Sequence, residues 1–580
     1  MRSCVAFAAA LLALGACGDG GDGKDVGAVG DGAGPGAAGG ATDGAAGAQG
    51  GGAGSASDPM AGDPAAATED PAPAPRAVRL THGQWQNTVI DLLHLDAAAE
   101  LPALRPDPSQ GGFIFDNDAT AMSVDEALWS EYQRAAMDLA ARVVSDPQAL
   151  QKILPAGADD PTSGLETFVR DFGRRAHRRP LDDAQVAQYL GLTAMAPGFF
   201  PELSAFDASI RLLLEAFLQS PHLLYRFEAS VEEQDGMIVL DDWEIASRLS
   251  YSLWQTMPDD ALFDAAAASE LSDPQSLVGH VTRVLDDPRL ERSVASFHAQ
   301  LFEIEEFREI SPATTFFPDA PAGLGEAAVR EHQLFVQDVV FEQEGGFREL
   351  LSSTQSFVDA DLAGIYGLGG TFGSDFEPAQ LDAQQRKGLL TQVGFLAANA
   401  SSAHPDPIHR GVFIAERIAC LAIAAPDAAT PPVPAREGRT NREVIEDHTE
   451  MPGTVCASCH SSLINPFGFP FENYDATGAY RTEDNGYPVD ASASPPIDGM
   501  PTAVDDALGL IDALAGSEGA HQCYSKHWME FLLGRHVTVA DRPLRARLGA
   551  QSQEGLSVKQ LLRETVTSRP FLHRSTEELP

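Results

Sequence analysis

The sequence predicts a mainly α, multi-domain protein carried behind a disordered Gly/Ala-rich tether. Three observations predict it: apolar residues recur at helical steps of three and four, alternating strand patterns are scarce, and no aromatic residue occurs between Gly18 and about Pro75. A chain of 580 residues is well beyond the size at which one hydrophobic core stops growing, so three or more domains are expected. Phe206, Ile210, Leu213, Leu214, Phe217 and Leu218 gather on one helix face, and Ser220-Pro221 ends that run. Asp241 with Glu244 reads as a capping pair opening a helix through Ile245, Leu249 and Leu253; Ser557 with Gln560 opens another carrying Leu561, Leu562 and Val566. These stripes read as core.

Clusters of proline and polar residues mark the boundaries. They divide the chain into a leader (1–17), the tether (18–75), an N-terminal helical domain (76–158), a small helical domain (164–231), a large helical middle domain (237–381), a module at 384–500 and a C-terminal helical domain (501–580). The proline-rich stretch Pro426 to Pro434 is expected to lie extended over the surface.

Apolar content of 44% is ordinary for globular chains, so everything beyond the tether should fold. The net charge of −45, from 84 acidic against 39 basic residues, repels phosphate backbones and excludes nucleic acid as a partner. Arg2, the apolar run Val5 to Leu14 and the tetrapeptide Leu14-Gly15-Ala16-Cys17 read as a leader ending in a bacterial lipobox, with Cys17 as the acylated residue. An ordinary secretory leader is the alternative, and both send the chain out of the cytoplasm. No later run of 18 apolar residues follows, so membrane contact is expected through the N-terminal lipid anchor only, in the periplasm or at the outer membrane or cell surface.

Cys456-Ala-Ser-Cys459-His460 carries the chemistry. Covalent heme needs two thiols spaced for the two vinyl groups on one porphyrin edge, and a His directly after the second Cys to reach the iron. The motif predicts one covalent heme c on Cys456 and Cys459 with His460 as proximal ligand. A redox dithiol lacks a strand-to-helix setting here, and a zinc half-site lacks a second close Cys pair. Of 6 cysteines, Cys4 leaves with the leader, Cys17 takes lipid and two take heme. Cys420 and Cys523 remain, as a disulfide or as two buried free thiols. For the sixth iron position the candidates are Met500, in a Pro/Gly loop 40 residues after His460, and His448, with His521, His527 and Met529 as rivals. Arg481 is a candidate propionate partner. Arg174 to Arg179 form a cluster able to hold an anion or to pair within the core.

The motif and its surroundings resemble a family. Cys456 to His460, Asn465-Pro466-Phe467-Gly468-Phe469 and Phe471 through Arg481 are similar to the cytochrome-c-like module of large secreted planctomycete and myxobacterial proteins built from serial domains of unknown function. Arg79-Leu80-Thr81, Arg178-Arg179-Pro180-Leu181, Ser220-Pro221-His222 through Arg226, Ala246-Ser247-Arg248, His409-Arg410-Gly411 and Leu533-Gly534-Arg535 resemble motifs of the other modules. The resemblance implies a C-terminal cytochrome-c-like module in an exported redox protein, agrees with a Cys420–Cys523 bridge, and favours His448 over Met500. It carries no settled reaction. The leading expectation is electron transfer to or from an unidentified exported redox partner. A heme-dependent oxidoreductase with a substrate site in the middle domain, and a surface scaffold with structural heme, are the alternatives.

Overall fold

The computed structural model describes residues 69–577, except 97–100, 109–111, 159–162, 425–432 and 437. Cys17, the leader, the tether up to residue 68 and most of the boundary at Asp159–Ser163 lie outside the described residues. Helix (55%) outweighs strand (8%), so strands act as clips between segments and helices supply the core. No helix among the described residues is long and apolar enough to cross a membrane.

The first strand, β1 (Ala77–Arg79), leads into α1 (His82–Leu93), opened by a capping box in which Thr81 and Gln84 satisfy each other's backbone N–H groups. Trp85 of α1 packs on Tyr132 of α2 (Glu126–Ser145), ring centroids 5.3 Å apart. Next come α3 (Gly164–His177), α4 (Asp183–Thr193) and α5 (Ala205–Leu218), knitted by Phe172, Tyr189 and Phe217; Tyr189 stacks on Phe217 at 4.0 Å. Strand β2 (Tyr225–Phe227) then runs antiparallel to β1, which returns the second helical unit to the start of the first.

Strand β3 (Met237–Val239) precedes α6 (Asp242–Trp254), whose Asp241/Glu244 capping box forms as its spacing predicts. The middle segment continues through α7 (Pro274–Asp286), α8 (Leu290–Leu301) and α9 (Leu324–Gln337), with a small ladder of β4 (Gln355–Val358) and β5 (Glu377–Gln380) against it. The later part holds α10 (Pro407–Phe413), α11 (Asn441–Thr449), α12 (Val455–Cys459), a hairpin of β6 (Pro496–Ile497) and β7 (Met500–Pro501), then α13 (Ala507–Gly516), α14 (Glu518–Leu533), α15 (Arg542–Gln553), α16 (Val558–Val566) and β8 (His573–Ser575). Strand β8 pairs antiparallel with β3.

One continuous cluster of buried side chains runs from Phe113 to Phe571, so the middle and C-terminal segments share a core. Its densest part is aromatic. Phe297 of α8 stacks on Trp528 of α14 at 3.6 Å and on Phe115 at 5.4 Å, with Phe531 edge-on to all three. Such rings bury 150–250 Å² each, roughly, and aromatic pairing adds about 0.5–1.5 kcal/mol per pair to that burial.

Candidate heme-attachment site

Two glycines fix the platform under the motif. A Cβ on Gly468 would lie 1.8 Å from the Pro407 carbonyl oxygen, and one on Gly411 would lie 2.0 Å from that of Ile464. Only glycine lets α10 and the 464–468 segment approach backbone to backbone. Arg410, fully buried on α10, locks the arrangement by donating to the carbonyls of Leu396 (2.7 Å), Phe471 (3.0 Å), Tyr474 (3.1 Å) and Asp475 (3.2 Å). Burial pushes its pKa down to about 10, against the charges of Glu472, Asp406 and Asp475.

On this platform α12 carries both motif thiols. Thr454 caps the helix by accepting from the Ala457 N–H at 3.2 Å, and Cys456 and Cys459 sit one turn apart, half-exposed and unbonded. The backbone then widens into a π-turn over His460–Ile464, where the N–H of Asn465 donates to the carbonyl of His460. Residues five apart are thereby aligned. The Asn465 side chain uses this: its Oδ1 accepts from His460 Nδ1 at 3.0 Å. Its Nδ2 donates to Thr449 Oγ1 at 2.9 Å and Glu450 Oε1 at 2.7 Å. The Glu450 carboxylate only accepts, so the amide nitrogen must face it and Oδ1 must face the imidazole. His460 Nδ1 therefore carries the proton, and its Nε2 keeps the lone pair that binds a metal.

The donor set fits covalent heme. Two free thiols at i and i+3 face solvent beside an imidazole whose tautomer is fixed, and the flanking Met451 (59% exposed) and Val455 (80% exposed) offer apolar surface to a flat macrocycle. Asn465 belongs to the Asn465–Phe469 motif, but nothing in the residue spacing points to its contact with His460. Its signal lies in the π-turn, which residue spacing does not announce.

The other candidates are dispersed. His448 lies half-buried in the last turn of α11, next to the Thr449 and Glu450 that hold Asn465. Met500 is 68% exposed on the β6–β7 hairpin. That hairpin is anchored to α14 by Asp498, which accepts from Ser517 Oγ at 2.7 Å and the Gly519 N–H at 2.8 Å. His521 is buried with both ring nitrogens engaged, by Ser552 Oγ and the Ala515 carbonyl, and Met529 is enclosed with Leu544 and Leu548. Arg481 holds local structure, meeting Glu472 at 3.1 Å and Asp484 at 2.5 Å and donating to the Glu472 carbonyl at 3.0 Å. A propionate would have to compete with those contacts. Within the Arg174–Arg179 run, Arg178 is buried and donates to the carbonyls of His222, Leu223 and Tyr225, while Arg175 pairs with Asp260. That cluster ties helices together.

Cys420 and Cys523 are joined, with Cα atoms 5.5 Å apart. Cys420 follows a π-turn at Ile414–Ile418 and takes a left-handed φ of 52°, which presents its sulfur to α14. His527 abuts the bridge, its Nε2 3.4 Å from the Cys523 sulfur and donating to the Arg417 carbonyl at 3.0 Å.

Comparison with known families assigns five consecutive stretches. Residues 79–145 match the family described as protein of unknown function (DUF1587), 165–228 match DUF1595, 240–368 match DUF1592, 386–484 match DUF1588 and 501–571 match DUF1585. The five matched stretches follow one another along the chain from residue 79 to 571. No curated protein and no solved structure matches it. The DUF1588 stretch, labelled PSCyt3, contains the whole Cys456–His460 motif together with Arg410, Asn465 and Arg481. Cys420 lies in the DUF1588 stretch and Cys523 in the DUF1585 stretch, so the disulfide joins two family modules.

Proposed function

We propose that this protein is an exported, lipid-anchored electron carrier that binds one covalent heme c at Cys456 and Cys459, with His460 as proximal ligand, and that it exchanges electrons with an exported partner. The observation that carries this reading is the Asn465–His460 hydrogen bond beside two free, half-exposed thiols. An imidazole that donates its Nδ1–H to a side-chain oxygen presents Nε2 in the form that ligates a metal. The family label PSCyt3 and the leader sequence point the same way. Bound heme would supply one-electron chemistry. The chain's own residues would attach it through the two thiols, orient the imidazole through Asn465, and hold the attachment segment on α10 through Gly411, Gly468 and Arg410.

The test is a pyridine hemochrome spectrum of the full chain matured with heme-attachment machinery. A covalent c-type spectrum at one heme per chain is expected, and its absence overturns the proposal. Carbon monoxide then separates the carrier from the oxidoreductase: an inert six-coordinate spectrum fits a carrier, whereas rapid binding shows an open iron and rejects it.

A further inference from the structure

Arginines from three of the family modules converge on one cavity far from the heme motif in sequence. Its volume is about 30 Å³, enough for one or two waters or one small ion. Arg226 from β2, Arg248 from α6, Arg535 and Arg574 all line it, with Glu228 as the one carboxylate among the lining residues and Phe571, Leu532 and Val78 as apolar wall.

All but one of these guanidinium groups have acceptors. Arg248 grips Glu228 with two nitrogens, at 2.6 and 2.8 Å, and donates to the Phe571 carbonyl at 2.5 Å. Arg535 is matched by Asp541 through two bonds of 2.8 Å, and Arg574 donates to the Ser230 carbonyl at 3.0 Å. Arg226 differs. It is half-buried; its guanidinium makes no hydrogen bond to any described residue, its Nε is buried, and it lies over the face of Tyr251 at 5.7 Å. Burial pushes its pKa down to about 10 against the pull of Glu228, and Arg248 and Arg178 push the same way as burial. Arg226, Arg248 and Arg574 thus all bear on one carboxylate, Glu228, and the cavity of ionic size beside them has room for a further counter-charge.

We propose that this cavity binds a small inorganic anion, of halide or simple oxyanion class, held by Arg226 at the junction of the DUF1595, DUF1592 and DUF1585 modules. The anion would supply the acceptor that Arg226 lacks and would pin β2, α6 and the C-terminal segment together. This site is independent of the heme reading.

The test is thermal unfolding of the full chain in potassium gluconate at fixed ionic strength, titrated by replacing gluconate with chloride in one arm and phosphate in the other. Gluconate is too large for the cavity. A saturable rise in Tm with either anion is expected, and the arm that saturates names the class. In Arg226→Met, which keeps the length and removes the charge, apparent affinity should fall at least about 10-fold. This variant should also be no less stable than the parent in gluconate and less stable in the saturating anion. A parent whose Tm does not respond saturably to either anion overturns the proposal, as does an equal response in Arg226→Met. Should that variant not fold, Arg226→Lys keeps the charge and must keep the response; its loss there also overturns the site.

Discussion

The two cysteine pairs of this chain do opposite things with one functional group. Cys456 and Cys459 lie on a single helical turn, half-exposed and unbonded, and are held from outside by Thr454 and by the Asn465 network. Cys420 and Cys523 are far apart in sequence and joined beside His527, with Cys523 buried and Cys420 half-buried. The difference teaches that the free thiols and the covalent cross-link are housed separately. The motif sits on a surface that costs little to alter, while the bridge is built into the packing.

The largest expected effect breaks the comparison outright. Cys456→Ser with Cys459→Ser should abolish the covalent hemochrome and move the unfolding midpoint of the heme-free chain by no more than surface substitutions do, within about 0.5 kcal/mol. Cys420→Ser with Cys523→Ser should do the reverse. Closing a loop with a sequence separation of 103 is worth up to about 4.7 kcal/mol, so urea unfolding should shift to lower concentration while hemochrome yield per folded molecule stays constant.

Acid should sharpen the contrast next. His298 contacts α14 through Tyr524, its Nε2 accepting at 3.0 Å, and burial holds its pKa down at about 4, against 6.5 when unfolded. Between these values the unfolded chain takes the proton more readily, so stability is full above about pH 6.5 and falls as pH drops towards 4, by up to about 3 kcal/mol. Buried His527 is shifted in the same direction. Hydrogen exchange across a pH 7-to-4.5 series should therefore show α8 and α14 opening first; equal opening of α12 and α14 would contradict the separation.

A smaller effect is expected at Asn465. Asn465→Ala leaves Glu450 and the imidazole without their shared partner, at a cost of about 1–3 kcal/mol, and should lower heme occupancy on the order of 10–100-fold under limiting heme. Asn465→Asp retains an acceptor beside Nδ1 but adds charge, so any heme it holds should have a lower reduction potential than in the parent, read by redox titration. The smallest effect is Val455→Ser. This residue is 80% exposed, so folding stability should stay within about 0.5 kcal/mol while hemochrome yield is retained.

Helices were the legible part of the fold. The Phe206–Leu218 stripe becomes α5 with Ser204 as its cap, and the pairs Asp241/Glu244 and Ser557/Gln560 both form capping boxes, because periodicity and capping are local properties. The strand clips were not legible. β1 and β2, or β3 and β8, are three residues each, and only a partner remote in sequence makes them strands. The shared core was missed for a related reason, since length argues for separate cores and cannot reveal that Phe297 stacks on Trp528. At the candidate site the Cys456–His460 motif is visible in the sequence itself, whereas the contact of Asn465 depends on a π-turn and the place of Arg226 on distant segments meeting.

The pairing of β3 with β8 also sets an order of events in time. β3 is made early and exposes an unpaired edge until residues 573–575 arrive to cover it. The shared core likewise waits for α14 before Phe297 finds Trp528. A chain wired this way relies on contacts of long range, and is expected to fold slowly and only after its last segment has been made.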